Sequence, residues 1–258
     1  ALGYPDQALA RNEQGLALAR TLAQPFSEVW ALMSTAVVHH LRGDQKAAHE
    51  HAEAAIAIAN EKGFAYFLGL ASVLRGHALF EQGGGADAIA EMRRGIDVSR
   101  ATGAVLGVPY YLALLASAHG RHDQARDGLV MVAEGLAEVA RTGERFWEAE
   151  LLRLKGQLLL QEDTANEPAA EACFRNAIDI ARSQGARSWE LRAAISLARL
   201  WSTQDKQAEA YDLLSEIHGW FSEGFDSADL LAAGKLLDMT NGTQGASPRD
   251  SRGAQLVR

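Results

Sequence analysis

Four histidines near the start of the chain are the residues whose type and spacing come nearest to a metal site. His39 and His40 are adjacent, and His49 and His51 lie two residues apart. Two imidazoles share one face of a helix when they are three or four residues apart, so neither pair forms a zinc site on a single helix. A site built across two helices stays open as an alternative, although no cysteine is near. We expect histidines that are solvated or line a groove, and no bound metal.

The single cysteine and a run of glycines are the other candidates for chemistry. Cys173 follows Ala172 and precedes Phe174 on an apolar helix face, whereas a reactive thiol needs exposure and a cationic or histidine neighbour. We therefore expect a buried, inert thiol. The glycine run 83–85 joins two predicted helices and is not followed by Gly-Lys, which is typical of a turn and not of a phosphate-binding loop.

Polar residues cluster at two further turns without forming a catalytic set. His119, His122 and Asp123 surround one turn, and Ser202 and Asp205 surround another. Neither group supplies a nucleophile, a base and a residue that orients the base. The sequence therefore predicts no catalytic residues and no cofactor.

The composition of the chain indicates an all-α protein. Its 258 residues are 48% hydrophobic, with 48 alanines, 33 leucines and only 5 prolines, which favours helix and is sufficient for a sizeable core. The formal charge of −8 disfavours contact with nucleic acid. No apolar stretch approaches the roughly 20 residues of a membrane span, and no secretory signal opens the chain. We expect a cytoplasmic protein that does not contact a membrane.

A repeat organises the chain. Gly63, Gly103, Gly143 and Gly185 each follow a run of helix-forming residues and fall 40, 40 and 42 residues apart, and Ala23 lies another 40 residues earlier. Glycine in this place adopts the left-handed conformation that ends a helix. A second set of turn residues falls about midway in each period. Each period of about 40 residues is therefore predicted to be two helices joined by a tight turn.

Stacked helical hairpins bury a continuous apolar face that one hairpin cannot bury alone. The pattern therefore predicts a right-handed α-solenoid over residues 1–239, with a lone leading helix, five hairpins and a closing helix. Residues 240–258 are polar, rich in helix breakers and predicted to be a disordered tail. The leading helix starts inside a repeat, which indicates that the chain is truncated. The uncovered face of this helix is expected to allow end-to-end self-association. The predicted helices are 6–22, 26–42, 45–61, 65–81, 86–101, 106–119, 122–141, 145–161, 167–183, 187–202, 206–219 and 227–239.

The spacing of small and large apolar residues resembles the tetratricopeptide repeat, with a longer period. The residues that show this spacing are Gly156, Leu159, Ala170, Phe174 and Ala177. Further segments resemble the carboxy-terminal repeat region of a family of bacterial multidomain proteins. That family joins a class III adenylate/guanylate cyclase domain or a winged-helix domain to an AAA-type signalling ATPase module and then to tetratricopeptide-like repeats. The segments that carry the resemblance are 2–9, 100–107, 141–150, 154–156, 185–192 and 219–226.

The resemblance covers residues 1–239 and implies that catalysis and nucleotide binding lie in a parent protein, upstream of these repeats. The sequence agrees with this implication, because it contains no Gly-x-x-x-x-Gly-Lys-Ser/Thr motif. The chain itself is expected to carry neither ATPase nor cyclase activity.

The concave surface of the solenoid is where ligand contacts are expected, because the first helix of each hairpin faces it in repeats of this type. Aromatic anchors mixed with a few polar groups are typical of recognition surfaces. Three of the predicted contacts, Trp30, Met33 and Tyr110, have packing between hairpins as an alternative role. Trp147, Trp189, Trp201 and Trp220 are assigned to packing. The predicted groove contacts are Trp30, Met33, His40, His77, Tyr110, Arg153 and Gln157.

The sequence thus predicts a non-catalytic interaction and regulatory module. Its partner would be another protein or peptide, or the ATPase module of its own parent. The alternative is a sensor domain of a bacterial transcription regulator, which binds a small effector inside the superhelix. The two functions differ in a structural expectation, because a sensor needs a deep pocket that a metabolite can occupy.

Overall fold

The computed structural model of the chain describes residues 1–244 and the side chains of residues 1–240. This part of the chain is helical throughout its regular structure and contains no β-strand. Short 3₁₀ turns at Arg145–Trp147 and Thr164–Asn166 precede two of the helices. The helices are α1 (Pro5–Thr21), α2 (Pro25–Arg42), α3 (Gln45–Lys62), α4 (Ala65–Glu81), α5 (Gly85–Ala101), α6 (Val108–Arg121), α7 (Ala125–Thr142), α8 (Glu148–Glu162), α9 (Glu167–Ser183), α10 (Arg187–Ser202), α11 (Gln207–His218) and α12 (Ala228–Gln244).

Every predicted helix is present within residues 1–244, and the all-helical fold confirms the predicted α-solenoid. The largest difference is in α12, which continues to Gln244 and so includes the first residues of the predicted tail. The remainder of that tail, residues 245–258, lies outside the described residues. None of the helices within residues 1–244 combines the length and hydropathy that crossing a bilayer requires.

The backbone confirms the residues at which helices were predicted to stop. The residue before each hairpin has a positive φ, the left-handed conformation that interrupts a helix. We call these five the stop residues: Ala23 (φ 50°), Gly63 (69°), Gly103 (78°), Gly143 (76°) and Gly185 (64°). Because they repeat at a nearly constant interval, a position counted from the stop residue falls on the same helix face in each hairpin.

The hairpins form two layers. The first helices of the hairpins, α2, α4, α6, α8 and α10, pack against one another in sequence as an inner layer, and the second helices, α3, α5, α7, α9 and α11, cover them. Small residues let the layers approach closely. A Cβ atom on Gly156 of α8 would lie only 2.5 Å from the ring of Phe174 on α9, a fully buried side chain. The core thus lies between the layers and runs the length of the stack.

The two ends of the stack meet. The guanidinium of Arg42, at the end of α2, donates hydrogen bonds of 2.8 and 2.9 Å to the carboxylate of Asp226, which precedes α12. It also donates to Asp6 of α1, whose carboxylate accepts a 2.9 Å hydrogen bond from the backbone N–H of Gly224. We call this set of contacts the seam. The solenoid therefore closes on itself, an arrangement the sequence pattern did not predict.

Candidate binding cavity and groove

The first helices enclose a cavity of about 190 Å³ next to the seam, which we call the inner cavity. Successive hairpins contribute its walls, and the start of α12 completes them with Ala228 and Asp229. The polar side chains that matter most to its chemistry are His40, Gln45, His77, Tyr110, Trp189 and Arg192. The inner cavity is thus built by residues that are far apart in sequence and that only the closed solenoid brings together.

Aromatic rings form one continuous wall of the inner cavity. The ring of His77 meets that of His40 edge-on, with centroids 4.7 Å apart. Tyr110 stacks on Trp147 at 4.0 Å and 17°, and Trp147 lies 5.1 Å from Trp189. The two groups of rings join where His40 lies 6.2 Å from Tyr110. Rings packed in this way have few alternative positions, so the wall is a rigid surface with an apolar face and polar edges.

Four side chains that line the cavity each carry a buried polar atom with no hydrogen-bond partner among residues 1–244. These atoms are Oε1 of Gln45, Nδ1 of His77, Oη of Tyr110 and Nε1 of Trp189. His77 and Tyr110 are each only 4% exposed, and Trp189 is 2% exposed. A buried polar group without a partner costs about 1–3 kcal/mol, so such groups are rare in folded proteins. Their concentration in one cavity indicates a site that is prepared for hydrogen bonding.

A buried ion-pair cluster lies beside these atoms. The carboxylate of Glu150 accepts two hydrogen bonds of 2.7 Å from Arg153 and lies 3.3 Å from Arg192. Arg192 also lies 3.7 Å from Asp229 of α12. Burial raises the pKa of Glu150, but the two guanidiniums outweigh it and bring that pKa down to about 2. Burial also raises the pKa of Asp229. The cluster therefore joins α8, α10 and α12 by charge.

The histidines of the inner cavity are neutral at physiological pH. Burial lowers the pKa of both His40 and His77 to about 3, and neighbouring cationic groups add to the shift. Glu81 pairs with Arg121 across α4 and α6. Three carboxylates and two guanidiniums line the cavity: those of Glu81, Glu150 and Asp229, and those of Arg121 and Arg192. Arg153 does not line the cavity but pairs with Glu150, so this network as a whole contains three carboxylates and three guanidiniums.

A wider groove of about 650 Å³ adjoins the inner cavity along α6, α8 and α10, and we call it the concave groove. The two spaces share Ser117 and Arg121. Leucines from α8 and α10 form its floor, while Gln157 and the exposed Arg199 stand among its polar groups. The amide of Gln157 donates a 3.4 Å hydrogen bond to Ser196. His77, Ser117, Gln157 and Arg199 each lie 14 residues after their stop residue, so equivalent positions line both spaces.

Four of the seven predicted groove contacts lie on these two spaces. His40, His77 and Tyr110 converge on the inner cavity, and Gln157 lies in the concave groove. Their placement agrees with the prediction that the first helices face inward. Binding at these residues stays a prediction.

The other three predicted contacts lie elsewhere. Arg153 is buried in its ion pair with Glu150. Met33 is 7% exposed and packs in the hydrophobic core. Both follow their stop residue by ten positions, which directs them toward neighbouring helices. Trp30 is 48% exposed, meets Phe67 edge-on at 5.9 Å and lines a separate surface groove between α1 and α2.

Sequence reasoning missed several residues of the inner cavity. Trp189 was assigned to packing alone, although its buried indole N–H has no partner among the described residues. Glu150 and Arg192 follow their stop residues by seven positions, as Tyr110 does, so the repeat contained the signal that would have identified them. Asp229 belongs to α12 and reaches the cavity through closure of the stack, for which the repeat gives no signal.

The remaining candidates for chemistry lie outside the inner cavity and the concave groove. Residues 1–244 hold no group of three or more His, Cys, Asp or Glu side chains placed for a metal ion. The rings of His39 and His51 stack at 5.1 Å across α2 and α3. Cys173 is half-buried, and burial raises the pKa of its thiol, which opposes formation of the reactive thiolate. The glycine run 83–85 is the turn between α4 and α5.

Comparison with known proteins shows a likeness of fold. No family profile matches the chain. An uncharacterized protein of Rhizobium meliloti (strain 1021), R02095, is 28% identical over 195 residues, which are 76% of this chain and 19% of that protein. The chain therefore spans about a fifth of the length of this relative.

Two solved structures are similar to the chain. BtubC (BKLC) from P. vanneervenii superposes with a TM-score of 0.55 at 16% identity, over 98% of both chains. Yeast Tom70 aligns at 14% identity over 93% of this chain and 59% of its own, with a TM-score of 0.42. The likeness to BtubC extends over nearly the whole of both chains, and at this level of identity it concerns the fold alone.

Proposed function

We propose that this chain is a non-catalytic protein-interaction module that holds a segment of a partner protein in the concave groove. The observation that supports this function is the groove itself, whose apolar floor and polar margin come from equivalent positions of successive repeats. An apolar floor provides the binding free energy, and polar groups around it fix the direction of the bound segment.

Charge indicates what kind of segment the concave groove would hold. Arg199 is exposed on the groove, and no carboxylate of the described residues lies within 4 Å of its guanidinium. Lys235 lies near it, on a surface where Leu231 and Met239 of α12 are also exposed. We therefore propose a partner segment that combines apolar side chains with an acidic group placed to pair with Arg199.

Photo-crosslinking tests the concave groove as an interaction surface. A photoreactive amino acid at position Gln157 is expected to capture a protein partner in cells that make the natural protein. The same amino acid at Val130, which is exposed on α7, is the control. Arg199→Glu should reduce capture at Gln157 by about fivefold, because it removes an exposed ion pair and places a like charge opposite the acidic group. Capture that is equal at Val130, or unchanged by Arg199→Glu, would contradict the proposal.

We further propose that the chain is the regulatory repeat region of a longer cytoplasmic signalling protein with an ATPase module, and that this module is the partner. Two observations support the proposal: the resemblance of its segments to that family, and the much greater length of the R. meliloti relative. Measurement of the intact mass of the native protein tests it. A mass near 27.8 kDa would contradict it, whereas a much larger protein with nucleotide-binding peptides would support it. Crosslinks from Gln157 should then join two parts of one polypeptide.

The predicted end-to-end self-association is modified by the seam, which joins the two ends; we propose that the chain self-associates instead through an apolar patch on α1 and α2. Leu18 and Leu22 of the α1 end, with Phe26 and Trp30 of α2, are all about half exposed and line one surface groove. A second copy that packs here would bury them. Sedimentation velocity should show a dimer whose population falls in Leu22→Glu and is unchanged in the control Val130→Glu. A single monomeric species at high micromolar concentration would overturn this part of the proposal.

A further inference from the structure

We propose that the inner cavity is a binding site for a small, neutral, planar molecule that carries both hydrogen-bond donors and hydrogen-bond acceptors. The proposal does not depend on the protein-interaction function, because it uses the buried side chains beside the seam and not the open groove. It gives the predicted alternative, an effector bound inside the superhelix, a defined location and a ligand class.

The size of the inner cavity fits a single ring with a small substituent. Its volume is about 190 Å³. A cavity of about 150 Å³ is sufficient to hold benzene in an engineered protein. A dinucleotide or a peptide chain is therefore too large for the inner cavity, whereas a substituted six-membered ring fits.

The proposed ligand would form its hydrogen bonds with the four unpartnered polar atoms, which lie on side chains that line the inner cavity. The indole N–H of Trp189 is a donor, and Oε1 of Gln45 is an acceptor. The hydroxyl of Tyr110 and Nδ1 of His77 can each act in either way. These atoms come from α10, α3, α6 and α4, so a ligand that pairs with all of them connects four helices. A molecule with donors and acceptors on different edges satisfies this arrangement, and a hydrocarbon does not.

The charge balance around the cavity favours a neutral ligand. The carboxylates and guanidiniums pair with one another, as Glu150 does with Arg153 and Arg192. The two histidines carry no charge at physiological pH because burial lowers their pKa to about 3. An anionic or cationic ligand would add an uncompensated charge to a buried site, which is strongly unfavourable.

The aromatic wall favours a planar ligand. A flat ring can pack on the face or the edge of the Tyr110, Trp147 and Trp189 rings, whose positions are fixed by their mutual packing. Ala228 and Asp229 face the same space from α12. A bound molecule therefore touches both ends of the closed solenoid and is expected to stabilise the closure.

Calorimetric titration of the 258-residue chain tests the proposal with defined probes. The neutral probes are the amides nicotinamide, orotamide and benzamide, and their charged counterparts are the carboxylates nicotinate, orotate and benzoate. At least one neutral probe is expected to bind saturably, with one molecule per chain, and to quench the fluorescence of the cavity tryptophans. Its charged counterpart should bind at least about tenfold more weakly.

Matched tyrosine variants connect the binding to the inner cavity. Tyr110→Phe removes one of the four polar atoms and keeps the ring, so it should weaken binding about tenfold. Tyr211→Phe makes the same change on α11, away from the cavity, and should leave binding unchanged. Circular dichroism confirms that both variants are folded.

Three results would overturn the proposal. In the first, no neutral probe binds saturably at millimolar concentration, in which case the cavity holds only water. In the second, charged and neutral probes bind equally. In the third, the two tyrosine variants have the same affinity, so that the probe binds elsewhere. None of these results bears on crosslinking at Gln157, so the failure of this proposal and the failure of the proposed function are distinguishable.

Discussion

Ala23 has a left-handed backbone, with a φ of 50°, at the position where the four later repeats have glycine. This conformation costs an L-residue about 1–2 kcal/mol, and glycine adopts it without strain. Glycine also loses more backbone entropy on folding, which offsets part of the gain. We expect Ala23→Gly to raise the free energy of unfolding by about 0.5–1 kcal/mol, as measured by urea denaturation.

The control for this substitution is the same change inside a helix. Ala57 is exposed in the middle of α3, where glycine is expected to lower the free energy of unfolding by about 1 kcal/mol. If glycine raises the free energy of unfolding at position 23 and lowers it at position 57, the backbone conformation, and not the loss of a methyl group, decides the effect. Loss of stability at both positions would contradict the strain argument.

The buried histidines make stability depend on pH. Burial lowers the pKa of His77 to about 3, and the guanidiniums of Arg121 and Arg192 act in the same direction. The unfolded chain binds a proton at the ordinary histidine pKa, near 6.5. As pH falls from 6.5 toward 3, the unfolded state therefore gains protons that the folded state does not bind, and stability decreases. His40 contributes with the same sign, because burial also lowers its pKa to about 3.

His77→Gln should therefore make the free energy of unfolding less dependent on pH. Each histidine contributes a slope of up to about 1.4 kcal/mol per pH unit in this range. Urea denaturation of both proteins between pH 5 and pH 6 measures the slope, and the difference between the two slopes isolates the contribution of His77, because the carboxylates are common to both. In His77→Gln the free energy of unfolding should change less steeply with pH, and the decrease in slope should be most of the contribution of one histidine. An unchanged slope would mean that His77 is protonated in the folded chain as readily as in the unfolded chain.

The repeat register led to some of the site residues and, applied at other positions, led to residues that lie elsewhere. His77 and Gln157 occupy equivalent positions in their hairpins, and both were predicted from the direction of the first helices. Arg153 and Met33 were predicted by the same reasoning, yet a position ten residues after the stop residue points between helices. A shift of a few positions changes the face on which a helical side chain lies, so residue roles are less predictable than helices.

At the scale of the elements, the crossing of α4 and α5 depends on two glycines. A Cβ atom on Gly69 would lie 2.6 Å from the carbonyl oxygen of Gly95 and 2.6 Å from the backbone nitrogen of Ser99. Backbone atoms cannot move away as a side chain does. We therefore expect Gly69→Ala to separate the two helices and to lower the free energy of unfolding by about 2 kcal/mol.

Gly15 provides the matched control for this crossing. It lies inside α1, and a Cβ atom there would meet nothing within 4 Å. Gly15→Ala should raise the free energy of unfolding by about 0.5–1 kcal/mol, because alanine is the better helix former. Urea denaturation of both variants separates packing from helix propensity. If alanine changes the free energy of unfolding equally at positions 69 and 15, then α4 and α5 have room for a Cβ atom at their crossing.

Helices were the most predictable elements because two independent signals agreed, the glycine punctuation and the periodic small residues. The differences have local causes. α6 begins at Val108 because Gly107, with a φ of 80°, still belongs to the preceding loop. α8 begins at Glu148 because Arg145–Trp147 forms a 3₁₀ turn before it. α12 continues past the turn-forming residues at 241–242, since local propensity is a weak determinant of where a helix ends.

At the scale of the whole molecule, the seam could not be predicted from the repeat. The path of a solenoid is the sum of small rotations between neighbouring hairpins, and the spacing of stop residues gives the number of hairpins but not these rotations. Whether the last helix meets the first depends on that sum. The inner cavity depends on it as well, because α12 supplies Asp229 to the cluster around Arg192. The location of the candidate site was therefore accessible only from the structure.

The seam leads to the last prediction, that Arg42 helps to hold the start of α12 in place. Its side chain is only 13% exposed and pairs with both Asp6 and Asp226, whose side chains are 51% and 76% exposed. Each pair is therefore partly screened by solvent, and the contribution of Arg42 comes from joining two carboxylates with one guanidinium. Arg42→Met keeps most of the apolar stem and removes the charge. The change should weaken the closed state by about 1 kcal/mol, which corresponds to about fivefold faster amide hydrogen exchange across the start of α12.

Hydrogen exchange in a second variant distinguishes closure from a general loss of stability. Arg126→Met removes an exposed pair with Glu162 that lies outside the seam, and it should leave exchange in α12 unchanged. In Arg42→Met, exchange should increase in α12 and at the start of α1 while α4 and α5 keep their protection, because a solenoid transmits a local change only to its neighbours. Uniformly faster exchange in all helices would show that the two ends unfold together with the whole stack. Unchanged exchange in α12 would show that apolar packing on α10 and α11 holds this helix without the seam, and the inner cavity would then keep its α12 wall in the variant.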